Sequence, residues 1–273
     1  MDWWLPRAGV SAPHALAQVE ALIREARQID AAFPGDTELL AHKYLVWVES
    51  AERSLGANFG REAIERLLSD RYWQIVQLDG RNHRVSRLIE NEVLVQIERL
   101  DGLLTLLRRA AASMVLDEEE TILVLDTNVF IYGLPVKQAR WDELVDTRDC
   151  RIVVPLAVVD ELDRVKDFGK DASHAARSAL KDLGAIYGGQ LNAERQHVRA
   201  HVSIQLLGES PGHVRQPRVD DEIIRQALVI ESLTQRSPVI VTRDYGMRFR
   251  AFAASTPVLD LPPTFVRSRS GRE

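Results

Sequence analysis

The chain has 273 residues, 45% of them hydrophobic and 27% charged, with a formal net charge of −5. That length has room for two domains with real cores, and the composition is that of a soluble globular protein. No apolar run reaches the roughly 18 residues of a membrane span, the single cysteine, Cys150, excludes an internal disulfide, and the net acidity argues against a uniformly basic nucleic-acid binder.

The N-terminal stretch MDWWLPRAGV lacks the basic and long apolar regions of a secretory signal, so a cytoplasmic protein without membrane contact is expected. The charge is uneven. Residues 1–120 hold 14 Lys+Arg against 20 Asp+Glu, and residues 121–273 hold 21 against 20. A near-neutral second half that also contains clustered acids must carry its arginines elsewhere, which points to a polyanion near those acids.

In chain order, residues 14–32 place Leu16, Val19, Ile23, Ala26 and Ile29 at helical spacing, with Pro34-Gly35 as the stop. Asp36 reads as the N-cap of a helix over 37–55 that ends at Gly56. A shorter helical pattern covers Arg61 to Leu68, and Arg71-Tyr72-Trp73 then reads as helix packing, or as a basic aromatic patch for stacking bases. From Val85 to Met114, the residues Ile89, Val93, Gln96, Leu100, Leu103 and Leu107 step by four and three, a stripe broken only by Gln96. This helix, around 85–114, is either the centre of an N-terminal bundle or the seam of a homodimer with Gln96 setting register. The acidic run Asp117 to Glu120 marks a boundary, giving a helical bundle over 1–117 and a second domain over 121–265.

From Thr121 the pattern alternates strands (121–125, 151–155, 201–207, 238–242 and 256–259) with helices (137–147, 156–167, 171–188, 220–235 and 245–254). The fold class expected is α/β, a mostly parallel sheet with helices on both faces, preceded by the all-α domain.

The chemistry-bearing residues are acids. ILVLDTNVF runs a buried strand into Asp126, and strand ends in α/β sheets collect ligands. Thr127 and Asn128 can hold that carboxylate and the backbone in place. In IVVPLAVVDELDRVK the apolar face of Val158, Val159, Leu162 and Val165 favours Glu161 over Asp163 for the cleft. Asp220 and Asp221 open a helix, a position that also suits simple capping acids. Asp244 follows the strand PVIVT and repeats the arrangement of Asp126. Carboxylates gathered at one sheet edge repel unless a divalent cation lies between them, and oxygen-only ligands suit Mg²⁺ or Mn²⁺. Such ions lower the pKa of an attacking water and stabilise charge on a phosphodiester. His174, His197, His201 and His213 have no ligand spacing and are given no role.

The ordered motifs LDTNVF, PLAVVDELD, DDEIIRQAL and VTRDYGMRFRA, over Thr121 to Pro262, resemble the PIN domain family of metal-dependent ribonucleases, in particular the larger PIN subgroup fused to PhoH-type ATPases. The first 120 residues carry no resemblance. For the second half, the resemblance implies a three-layer fold and an endoribonuclease that hydrolyses RNA to 3′-hydroxyl and 5′-phosphate products; the sequence leaves single-stranded DNA open as an alternative to RNA. It implies Asp126, Glu161, Asp220 and Asp244 as catalytic and metal-binding acids with one or two Mg²⁺ or Mn²⁺ ions. Asp221 is the neighbour most easily exchanged with Asp220, which is preferred because Ile223 and Ala227 then fall at the apolar offsets of the PIN helix. Thr127, Asn128 and Thr242 would orient the carboxylates, and Arg243, Arg248 and Arg250 would bind the RNA backbone. Two other readings stay open: a catalytically inactive PIN scaffold that binds RNA or protein, and a toxin-like PIN nuclease paired with an antitoxin, against which the N-terminal half argues. A HAD-type phosphatase needs an acid at position 128, where asparagine stands, and a receiver-like domain needs paired acids on its first strand.

Overall fold

The computed structural model describes residues 4–7, 9–31, 36–67, 70–77, 83–117, 119–167, 170–188, 195–209 and 213–267. The chain divides into two compact units, a helical one over 2–115 with 232–235, and an α/β one over 116–231 and 236–273. Among the described residues no helix is long and apolar enough to cross a membrane.

The helical unit contains α1 (Ala12–Ala31), α2 (Thr37–Asn58), α3 (Arg61–Leu67), α4 (Asp70–Gln77) and α5 (His83–Ser113). The stop expected at Pro34-Gly35 lies outside the described residues. Asp36 caps α2 as its residue type predicts, accepting the Leu39 N–H at 3.0 Å. Gly56, expected to end this helix, does not: α2 continues to Asn58. Its lack of a side chain serves packing instead, because a Cβ there would lie 2.9 Å from Ile64 Cδ1 on α3. The Arg71-Tyr72-Trp73 segment is helical, within α4, and its two rings meet edge to face at 5.2 Å. The α5 stripe, Ile89, Val93, Gln96, Leu100, Leu103 and Leu107, is buried among the chain's own helices, α1 and α2 above all. Gln96 is accommodated in that core by donating to Glu92 Oε1 at 2.7 Å.

The α/β unit runs β1 (Glu120–Leu125), α6 (Thr127–Tyr132), α7 (Trp141–Leu144), β2 (Asp149–Pro155), α8 (Leu156–Val165), α9 (Lys170–Ile186), β3 (Gln196–Arg199), β4 (Val202–Leu207), α10 (Val219–Thr234), β5 (Val239–Thr242), α11 (Tyr245–Ala253) and β6 (Val258–Asp260). Its six strands lie in the order β3-β4-β2-β1-β5-β6, all parallel except the edge strand β3. Continuous apolar strands such as ILVL belong in a sheet covered on both faces, and Leu123, Val124 and Leu125 are fully buried. The chain winds outward from β1 through β2 to β4, then crosses back to β5 and β6. With right-handed crossovers, that reversal puts the two sets of helices on opposite faces and leaves a crevice between the C-terminal ends of β1 and β5.

Two expectations are corrected. Of the helix expected over 137–147 only Trp141–Leu144 is helical. The apolar residues there serve a turn that buries Trp141, whose indole donates to Val136 O at 3.0 Å and packs on Phe265, and left-handed Asp146 ends the segment. The strand expected from 201 starts at Val202 and is preceded by β3, which pairs with it antiparallel. QHVR has no apolar run to announce it, because this edge strand only half-covers alternate residues and buries none.

Candidate active site

The switch-point crevice is where the acids approach one another, although among the described residues no three of them bring ligand oxygens within 4.8 Å of one another. Asp126 leaves β1 at the N-cap position of α6, yet its side chain makes no cap hydrogen bond and is free to face the crevice. The carboxylate is 2% exposed and is held by neutral donors: Thr242 Oγ1 at 2.7 Å and Asn128 Nδ2 at 3.3 Å, both to Oδ2. Thr242, fully buried at the end of β5, also accepts the Asp244 N–H at 3.0 Å, so one hydroxyl ties together the acids of two neighbouring strands. Asp244 caps α11, its Oδ1 accepting the Met247 N–H at 2.9 Å.

Glu161 reaches the crevice from α8 and accepts a short hydrogen bond from the Thr127 hydroxyl. Thr127 therefore orients Glu161, whereas Asn128 and Thr242 orient Asp126. Asp220, in the first turn of α10, is bound to Arg250 of α11 at 2.8 Å, and Asp221 lies 3.9 Å from the same guanidinium. Arg248 sits 3.4 Å from Asp260 and over the Tyr245 ring, and Arg243 is exposed over the Tyr132 ring.

The acids feel one another. Burial pushes the Asp126 carboxyl up to about 6, the Thr242 hydrogen bond opposes this, and the charges of Asp220 and Glu161 add to it. Burial likewise raises Asp220, with Arg250 opposing and Asp244 and Asp221 adding. The donor set is hard carboxylate oxygen, and a buried acid with neutral partners and acidic neighbours is short of positive charge, so the residues present fit a divalent cation such as Mg²⁺ or Mn²⁺.

A family match decides the reading of this crevice: the PIN domain model matches residues 123–261, just over half of the chain. The chain belongs to the PIN domain family. A PIN domain carries a nuclease-like fold, and PIN domains generally use divalent metals. A solved domain of a functionally unknown protein from Methanocaldococcus jannaschii DSM 2661 is similar over 56% of this chain and 96% of its own, at 18% identity and a TM-score of 0.35. No curated protein matches.

One cluster in the PIN domain escaped sequence reading. Glu209, His213 and Glu222 bring ligand atoms within 4.8 Å of one another, with His213 given no role by its spacing. Spacing cannot reveal it, because the residues come from a loop and a helix that only folding joins. Its chemistry is nevertheless that of an ion-pair network and not of a cation site. Arg215 binds Glu209 at 2.6 Å and Asp160 at 2.5 Å, and Arg225 lies 3.2 Å from His213 Nδ1 and 3.8 Å from Glu222. Glu222 also accepts from Gln216 N and Gln226 Nε2, and these partners hold it below the usual carboxylate range even though burial, the largest influence, pushes the other way. Two guanidiniums repel a metal ion from such a place. The network instead ties His213 and Gln216 to Glu222 in the first turn of α10, which also carries Asp220.

Proposed function

We propose that this PIN domain is a metal-dependent endoribonuclease that hydrolyses RNA phosphodiesters at the β1–β5 crevice. The observation that carries the reading is Asp126: a buried carboxyl raised to about 6 beside Asp220 and Glu161, held by neutral donors only. Such an arrangement is costly for folding and useful for gathering positive charge. Asp126, Glu161, Asp220 and Asp244 would hold one or two Mg²⁺ or Mn²⁺ ions, with Asp221 as the alternative to Asp220. When bound, the cation supplies Lewis-acid charge to the phosphate and its attacking and leaving oxygens.

The chain's own groups do the rest. Thr242, Asn128 and Thr127 lock two carboxylates so that little reorganisation is needed when charge develops. Arg243 and Arg248, which flank Asp244 in the chain and each lie over an aromatic ring, would bind backbone phosphates. Water attacks phosphorus, the P–O3′ bond breaks, and a 3′-hydroxyl and a 5′-phosphate result.

A second reading, a PIN scaffold that binds RNA without cutting it, is favoured by one observation: Arg250 already occupies Asp220. Asp126→Asn separates the two, since it keeps shape and loses charge. In a cleavage assay with Mg²⁺ or Mn²⁺ on labelled single-stranded RNA, hairpin RNA and single-stranded DNA, it should slow RNA cutting on the order of 10²-fold or more. Equal rates for Asp126→Asn and wild type, or no cutting by wild type with either metal, would leave the scaffold.

A further inference from the structure

The PIN domain exposes an aromatic row that its acids do not explain. On α11, Tyr245, Phe249 and Phe252 are 70%, 72% and 80% exposed, while Met247 and Ala251 on the other side of the helix are fully buried. Spacings of four and three put the three rings along one face, and the row begins at the residue after Asp244. Large aromatics gathered on an exposed face mark an interaction surface rather than a solvated one.

Its chemistry favours one occupant. Guanidiniums accompany the rings: Arg248 lies 5.3 Å from the Tyr245 centroid, and Arg243, directly before Asp244, lies 5.8 Å from that of Tyr132, itself 47% exposed at the end of α6. A protein partner or a second copy of the chain would be served by the apolar rings alone. Rings interleaved with cations, continuous with an acid cluster suited to phosphodiester chemistry, match a strand that presents both base faces and phosphates.

Helical rise separates Tyr245 from Phe249 by ~6 Å and Phe249 from Phe252 by ~4.5 Å. Both steps exceed the ~3.4 Å between stacked nucleotides of a duplex, so bases that rest on this row must be splayed. Duplex bases are already covered by their neighbours and cannot use it. We propose that Tyr245, Phe249 and Phe252 form a stacking ledge for unpaired nucleotides flanking the phosphodiester presented to the crevice of Asp126 and Asp244.

The ledge rests on the nuclease reading for its substrate, but its test does not need cutting. Binding of a fluorescein-labelled oligouridine and of an RNA duplex of equal length is measured by anisotropy with the full chain in EDTA. Phe249→Ala with Phe252→Ala should weaken single-strand binding on the order of tenfold per ring and leave duplex binding unchanged, and Phe252→Trp should retain it. Circular dichroism melts check that the variants are folded. Unchanged single-strand affinity, an equal loss on the duplex, or a wild-type dimer that the double variant converts to monomer in light scattering would each overturn the ledge. A wild type that binds but never cuts would overturn the nuclease reading and leave the ledge standing.

Discussion

The guanidinium of Arg250 lies 2.8 Å from Oδ2 of Asp220, 30 residues away, with each side chain about one-third exposed. The ion pair places a positive charge on an acid proposed to hold a metal, so the two cations compete. Arg250→Met is expected to tighten Mn²⁺ binding a few-fold, the scale of a partly exposed ion pair, as read by titration calorimetry. Weaker or unchanged affinity would mean that the arginine supports the site rather than competing for it.

Asp126 makes the metal-free protein sensitive to pH. Its folded value of about 6 lies above the 3.8 of an ordinary aspartate, so the folded state binds the proton more tightly and stability declines as pH rises from about 4 to about 6. By neutral pH the loss should be on the order of 3 kcal/mol. Asp126→Asn should remove this slope and stabilise the protein at pH 7 in EDTA. Denaturant midpoints across that range test it, and added Mg²⁺ should restore wild-type stability at neutral pH.

Thr242 spends one hydroxyl on two acids, donating to Asp126 and accepting from the Asp244 backbone. The isosteric Thr242→Val leaves that partly buried N–H without its acceptor and Asp126 without its shortest donor, at a cost of about 1 kcal/mol. It also moves the pH midpoint of the Asp126-dependent stability upward, because the lost hydrogen bond is the one that lowers the Asp126 pKa. Thr242→Ser should restore both. A Val variant with wild-type stability and pH profile would contradict the bridging role.

At the other end of the sheet, Arg151 on β2 binds Glu120 on β1 at 2.6 Å and Gln205 on β4 at 3.2 Å, and Arg195 adds a second cation to Glu120 at 2.8 Å. Arg151 and Glu120 are both buried. Arg151→Met strands a buried carboxylate and should cost about 3–5 kcal/mol, with Arg195 softening the loss. The double change with Glu120→Leu should recover most of it. A single variant as stable as wild type in urea would show the pair to be dispensable.

Much of this protein is readable along the chain, because the signals are local. The spacing of Val19, Ile23, Ala26 and Ile29, the capping chemistry of Asp36, the apolar run into Asp126 and its repeat before Asp244 are each set by neighbours within a few residues. They determined the helical and α/β elements, the parallel sheet and the PIN resemblance that the family match supports. What the sequence could not decide depends on residues far apart. Gly56 reads as a helix stop until Ile64 is packed against it, and QHVR is a strand only because β4 lies beside it. Thr127 stands next to Asp126 but serves Glu161, and Arg250 looks like a free phosphate ligand until α10 brings Asp220 to it. Propensity and capping act over one turn or one strand, whereas hydrogen-bond partners and electrostatic neighbours are chosen by the distances that only the closed fold creates.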